Sequence, residues 1–280
     1  MNRAVLRAGW ERGLIELRQS LTNAADLFNH GFWPLLMIIT LYCIRDRAFG
    51  GARLPLGALV LPSILGMNAA MAMVTMSQTL TADREDGTLL RARATPHGVR
   101  AYLIGRVVSV SGGLLVDLAI FAIPALLLIP GLATGHVGAW ATVLWVLALG
   151  LLATLPLGAV LGSVFTSVRS QGLLTLPVLG IIAISGIFYP ITALPGWVQG
   201  VAQAFPVYWM GLGMRSALLP PGAVAVEIGD SWRHLETVAV LGAWAVAGLL
   251  VAPSLLRRMA RRESGSTVAA RRERALRRAG

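Results

Sequence analysis

Apolar runs of eighteen or more residues recur along almost the whole chain, and nothing constrains its fold more. They fall at about 28–45, 56–80, 101–128, 139–165, 172–190 and 236–256. Each is long enough to cross a hydrocarbon core of roughly 30 Å at about 1.5 Å per residue. A bilayer satisfies no backbone hydrogen bond, so spanning segments are helices or strands of a closed barrel. These runs are continuous rather than alternating, which argues against a barrel. Only 13% of the 280 residues are charged and 56% are hydrophobic, against roughly 25% and 45–50% for soluble domains. The expected fold class is therefore all-α integral membrane, with six transmembrane helices and no separate soluble domain. Prolines inside the runs (62, 124, 156 and 177) are expected to mark kinks.

Three regions follow: 1–26, 27–256 and 257–280. In the first, Leu6, Trp10, Leu14, Leu17 and Leu21 alternate at helical spacing with Arg3, Arg7, Arg12 and Arg18, which predicts an amphipathic interfacial helix on the membrane face. Charges throughout this stretch exclude a secretory signal. The last region is a basic tail expected to orient the chain and attract anionic lipid. No aromatics interleave its arginines, so no nucleic-acid partner is expected.

All 24 basic residues are arginine. Nineteen fall in the N-terminal region, the 81–106 connection, Arg169 and the C-terminal tail, and five fall in the alternate loops. The positive-inside rule then places both termini in the cytoplasm. The absence of lysine excludes a Walker A loop and Schiff-base chemistry. Cys43 is the single cysteine, so neither an intrachain disulfide nor a cysteine metal cluster is possible. His30, His97, His136 and His234 are scattered and read as interfacial or loop histidines, so no metal is expected.

Two segments are more than spans or plain loops. From Thr81 to Pro96 charges of both signs crowd together, in a chain that otherwise avoids charge. Gly87 is expected to break the helix leaving the membrane, Thr88 to cap a short helix from Leu89, and Pro96 to end it. Composition alone favours an ordinary solvated loop here. From Ser185 to Glu236 the chain is too hydrophobic for a solvated loop, yet prolines at 190, 195, 206, 220 and 221 leave no run of span length. Such pieces read as a re-entrant segment between spans five and six.

Asp117 lies near the middle of a span, where a carboxylate costs about 2.5–3.5 kcal/mol on translocon scales. It either faces a pathway or hydrogen-bonds a neighbouring helix. Gly105, Ser109 and Gly113 precede it at four-residue spacing, and Gly158 and Gly162 form a second small-residue face. Arg106 is expected to snorkel to the headgroups.

Glu85-x-Gly87-Thr88-Leu89 with Thr95-Pro96, then Ser185-Gly186-x-Phe188-x-Pro190, Leu194-Pro195-x-Trp197 and Phe205-Pro206, resemble the permease subunits of type-2 ABC exporters. The likeness covers essentially the whole chain and is nearest the bacterial drug-resistance branch typified by the daunorubicin exporter permease. The resemblance implies a bacterial inner-membrane permease that binds no cofactor itself. ATP and Mg2+ would sit on a separate ABC-type ATPase subunit, present in two copies beside a second permease copy or paralogue. It also implies a coupling helix at Glu85–Pro96, with Asp83, Arg84, Glu85, Asp86, Gly87, Thr88 and Leu89 meeting the ATPase. The re-entrant residues would be Phe188, Pro190, Pro195, Trp197, Phe205 and Pro206. The substrate stays open among drugs, lipids and glycolipids. Two other classes compete. An ion-coupled secondary transporter would show repeats and several intramembrane ionisable groups. A membrane-embedded lipid-modifying enzyme would show a paired-aspartate or HExxH motif.

Overall fold

The computed structural model describes residues 3–47, 55–95, 98–164 and 168–262. Among them the regular structure is helical: α1 (Arg3–Ser20), α2 (Ala24–Ile44), α3 (Leu56–Glu85), α4 (Thr88–Arg93), α5 (Gly98–Leu128), α6 (Val137–Val164), α7 (Val168–Ile184), α8 (Gly196–Gln203), α9 (Pro206–Leu218) and α10 (His234–Arg262), with short 3₁₀ turns between α7 and α8 and between α9 and α10. Of these, α2, α3, α5, α6 and α10 are long and apolar enough to cross a membrane.

The fifth apolar run, expected over 172–190, ends early. α7 stops at Ile184 after 17 residues, because Ser185 and Gly186 turn the chain, Gly186 with φ +65°. Prolines then start each following piece: Pro190 and Pro195 precede the 3₁₀ turn at 191–193 and α8, and Pro206 opens α9. At the other extreme α3 runs five residues past its expected end at 80, and α10 continues from 256 to Arg262. The thirty residues of α3 and thirty-one of α5 make rods of roughly 45 Å, longer than a hydrocarbon core of about 30 Å. The expected C-terminal tail lies outside the described residues from 263 onward.

The centre of the bundle is α3. Residues 57–66 are all buried, and the helix packs on α6, α9, α5, α7 and α2. Small residues set its closest approaches. A Cβ on Gly158 would lie 2.3 Å from the Met73 carbonyl oxygen, and one on Gly162 would lie 2.8 Å from the Ser77 oxygen, so the backbones of α6 and α3 touch directly. Gly66 meets Gly211 of α9 in the same way, at 2.7 Å.

α1 packs on the bundle through a stripe beside its leucines, Val5, Gly9 and Gly13, which are its buried residues. Gly9 abuts Ile104, Gly13 abuts Val108, and Gly112 abuts Leu17, a constant offset that runs α1 parallel to α5 for two turns. The glycines let the two helices approach to backbone contact, and Leu6, Trp10 and Leu14 are left exposed. Asn23 caps α2 with its side-chain oxygen accepting from the Ala25 and Asp26 N–H groups.

Candidate functional site

Charged groups buried in an apolar bundle must be paired, and their partners show what the fold holds fixed. At the end of the bundle that carries α4, Asp83 is turned inward. Tyr102 Oη donates to its Oδ2 at 2.5 Å, and Arg106 donates through Nε at 2.6 Å and through Nη2 to Oδ1 at 2.5 Å. Arg106 Nη1 also lies 3.1 Å from Glu16 Oε2, and Arg12 Nε donates to Glu16 Oε1 at 2.9 Å. Arg106 therefore does not snorkel. Two carboxylates hold it inside, and its side chain is 14% exposed.

Arg84 is buried too. Its guanidinium donates to the Gly162 and Ser163 carbonyls at the C-terminus of α6, where helix carbonyls without intrahelical partners favour a cation. Asp83 and Arg84 thus face the bundle, while Asp86 is exposed and Glu85, Thr88 and Leu90 are half-buried. Gly87 adopts φ +79°, the left-handed conformation that glycine takes without strain, and reverses the chain from α3 into α4. Thr88 was expected to cap that helix, but it is the first helical residue. The capping oxygen is Asp86 Oδ1, which accepts from the Thr88 N–H at 2.8 Å. Leu89 and Ala92 anchor α4 against the bundle, and Arg91 is exposed. Pro96, expected to end this helix, lies outside the described residues.

Above this turn is a cavity of about 630 Å³ between α1, α2, α3 and α5. Its lining climbs α3 from Asp86 through Asp83, Thr79 and Thr75 to Asn68, a path of roughly 27 Å. The turn at Asp86 and Thr88 is its floor. His30 and Asp117 line its upper part and hydrogen-bond through Nδ1 and Oδ1, while His30 Nε2 lies 2.9 Å from Ser20 Oγ. His30 therefore lies within α2, near its start, rather than in a loop. Asp117 lines this cavity and hydrogen-bonds His30 of the neighbouring helix α2.

The opposite end holds a second buried pair that sequence reasoning passed over. Arg215 Nε donates to Glu227 Oε1 at 2.6 Å and Nη2 to Oε2 at 3.2 Å, and Nη1 reaches Ser63 Oγ at 3.0 Å and the Gly186 carbonyl at 3.3 Å. Both side chains are 3% exposed. One guanidinium thereby joins α9, α3, the turn after α7 and the segment before α10. Both residues were legible as ionisable groups in a hydrophobic stretch, but only folding brings Glu227 opposite Arg215.

α8 and α9 form a helical hairpin beside these contacts. At its apex Trp244 Nε1, ten residues into α10, donates to the Ala204 carbonyl, and Phe205 stacks on the Trp244 ring with centroids 6.3 Å apart. At its far end the N–H of Ala133, in the loop between α5 and α6, donates to the carbonyl of Leu218, the last residue of α9. The hairpin apex thus lies beside a residue about 15 Å along α10 from its start. Pro206 is buried, Phe205 and Pro190 are half-buried, and Phe188, Pro195 and Trp197 are exposed, Trp197 by 76%. Among the described residues no group of three or more His, Cys, Asp or Glu side chains is arranged to hold a metal.

The family model described as ABC-2 type transporter matches residues 13–219, from α1 through the whole of the α8–α9 hairpin. No curated protein matches the chain.

Proposed function

The chain belongs to the ABC-2 type transporter family and is a multi-pass permease subunit of an ABC transporter, and from that premise we propose that it exports a hydrophobic or amphipathic substrate, powered by a separate ATPase subunit. The observation that carries this reading is the shared wall at Asp86 and Thr88. The turn into α4 is also the floor of the cavity between α1, α2, α3 and α5. A push on α4 therefore changes the cavity itself, and only such differential contact shifts a two-state equilibrium.

In this reading α7 is the sixth span, with its shorter length completed by the 185–190 turn. The α8–α9 hairpin is re-entrant from the outer side, and both termini are cytoplasmic in a bacterial inner membrane. α4 is the coupling helix, with Glu85, Asp86, Thr88 and the exposed Arg91 towards the ATPase. Gly87 sets the turn, and Asp83 and Arg84 brace it from within. The exposed Leu6, Trp10 and Leu14 stripe of α1 lies at headgroup level. ATP and Mg2+ bind the ATPase, two copies of which serve two permeases, and drugs, lipids or glycolipids are the candidate substrates.

Purification of the full chain from its native membrane tests the proposal. It predicts that an ABC ATPase subunit is retained and that nucleotide hydrolysis depends on the pair. A chain that purifies without an ATPase and drives transport from an ion gradient would overturn it.

A further inference from the structure

The same cavity carries information about what enters it. Five of the chain's 13 acidic residues line it (Glu16, Asp26, Asp83, Asp86 and Asp117), against two of its 24 arginines, Arg12 and Arg106. A protein with net charge +11 thus gathers an acidic lining at this cavity. The two arginines are committed to Glu16 and Asp83 through the contacts at 2.5–3.1 Å described above. Asp86 holds the α4 turn. Asp26, at the first turn of α2, and Asp117, whose Oδ1 is shared with His30, are the lining carboxylates that neither meet an arginine nor hold the α4 turn.

The rest of the lining completes an amphiphile's requirements. Asn68, Thr75 and Thr79 lay a polar stripe along α3, and each donates to the carbonyl four residues back, which leaves its own oxygen able to accept. Leu17, Met71, Val110 and Leu114 supply apolar wall, and Met adapts to varied shapes. The volume falls within the 300–1,000 Å³ usual for small-molecule sites.

Resting on the exporter reading above, we propose that this cavity is a binding site for cationic amphiphiles, with the charged head between Asp26 and Asp117 and the tail along α3. Carboxylates and the amide and hydroxyl oxygens of the stripe accept hydrogen bonds and stabilise positive charge, whereas an anionic head would meet the Asp26 and Asp117 carboxylates.

The test uses the full chain in phosphatidylcholine nanodiscs and three dansyl-labelled twelve-carbon probes ending in trimethylammonium, hydroxyl or sulfonate. Binding is read by fluorescence against protein-free discs. The site predicts that the trimethylammonium probe binds about tenfold or more tightly than the sulfonate. Asp26→Asn with Asp117→Asn removes most of that preference, and Asp46→Asn, in the loop after α2, leaves it unchanged. Asp26→Asn alone, in an exposed position, serves as the milder variant should the pair fail to fold, and it narrows the preference. Equal affinity for the three heads, or a preference for sulfonate, overturns the site. Doping the disc with phosphatidylethanolamine separates two sources of such an amine: displacement of the probe points to a membrane lipid, unchanged affinity to a freely diffusing amphiphile, and both keep the site. The isolated chain needs no nucleotide for this measurement, so the two readings fail separately. A cation preference without any ATPase partner removes the exporter and keeps the site, and an ATPase partner without the preference does the reverse.

Discussion

Arg106 Nη2 lies 2.5 Å from Asp83 Oδ1, which ties α5 to α3 three residues before the chain turns into α4. Because Glu16 shares the same guanidinium, α1 is held to this joint as well. Removing the cation leaves buried Asp83 without a counter-charge, while Glu16 keeps Arg12. Breaking a buried pair by losing one partner typically costs about 3–5 kcal/mol, while replacing both partners is far milder. Arg106→Met is therefore expected to lower the thermal unfolding midpoint markedly, and adding Asp83→Asn to recover part of the loss. Equal midpoints for wild type and Arg106→Met would mean the joint holds nothing.

The turn below that joint depends on one glycine. At φ +79° a side chain costs about 1–2 kcal/mol, and a β-branched one fits worst. Gly87→Val is expected to leave the chain inserted but to reduce permease-dependent nucleotide hydrolysis, with Gly87→Asn intermediate. Hydrolysis assays on the purified pair decide it.

Charge beside the turn, at half-buried Glu85, is a separate matter. Glu85→Arg is expected to insert normally and to uncouple transport, which vesicle uptake or efflux measures. Wild-type transport by this variant would remove Glu85 from the ATPase contact.

Backbone contact between α3 and α6 gives a sharper contrast. Gly158→Ala places a methyl 2.3 Å from the Met73 oxygen, so it is expected to destabilise the bundle. Gly242 of α10 has no atom within 4 Å of the corresponding position. There the same substitution is expected to be neutral or to gain up to about 1 kcal/mol from helix propensity. Thermal unfolding of the two variants side by side checks both signs.

At the hairpin end, Glu227→Gln leaves the Arg215 guanidinium without its buried counter-charge, again a loss of roughly 3–5 kcal/mol. Cys43 is the only cysteine, so Cys43→Ser gives a clean background for a reporter at Ala217, which is 2% exposed. Maleimide labelling of Ala217→Cys is expected to accelerate in the Glu227→Gln variant.

Much of this fold was legible as apolar runs, because a span must be apolar wherever lipid surrounds it. The exceptions share one cause. α3 continues through Thr81–Glu85, which reads as a loop in sequence, because Tyr102, Arg106 and the end of α6 satisfy Asp83 and Arg84. His30 and Asp117 are 87 positions apart, so their pairing has no local signature. Gly9 and Gly13 decide which face of α1 packs, yet the leucine stripe beside them is the stronger periodic signal. In each case a contact distant in sequence overrides local pattern.

The central claim is that α4 is where an ATPase drives this permease. A photoreactive amino acid at the exposed Arg91, incorporated in native membranes, tests it most directly, with Trp197 on the far hairpin as comparison. The account predicts an adduct from position 91 to a subunit carrying a Walker A lysine loop, and none from position 197. Adducts to such a subunit from position 197 alone, or from neither, would contradict it.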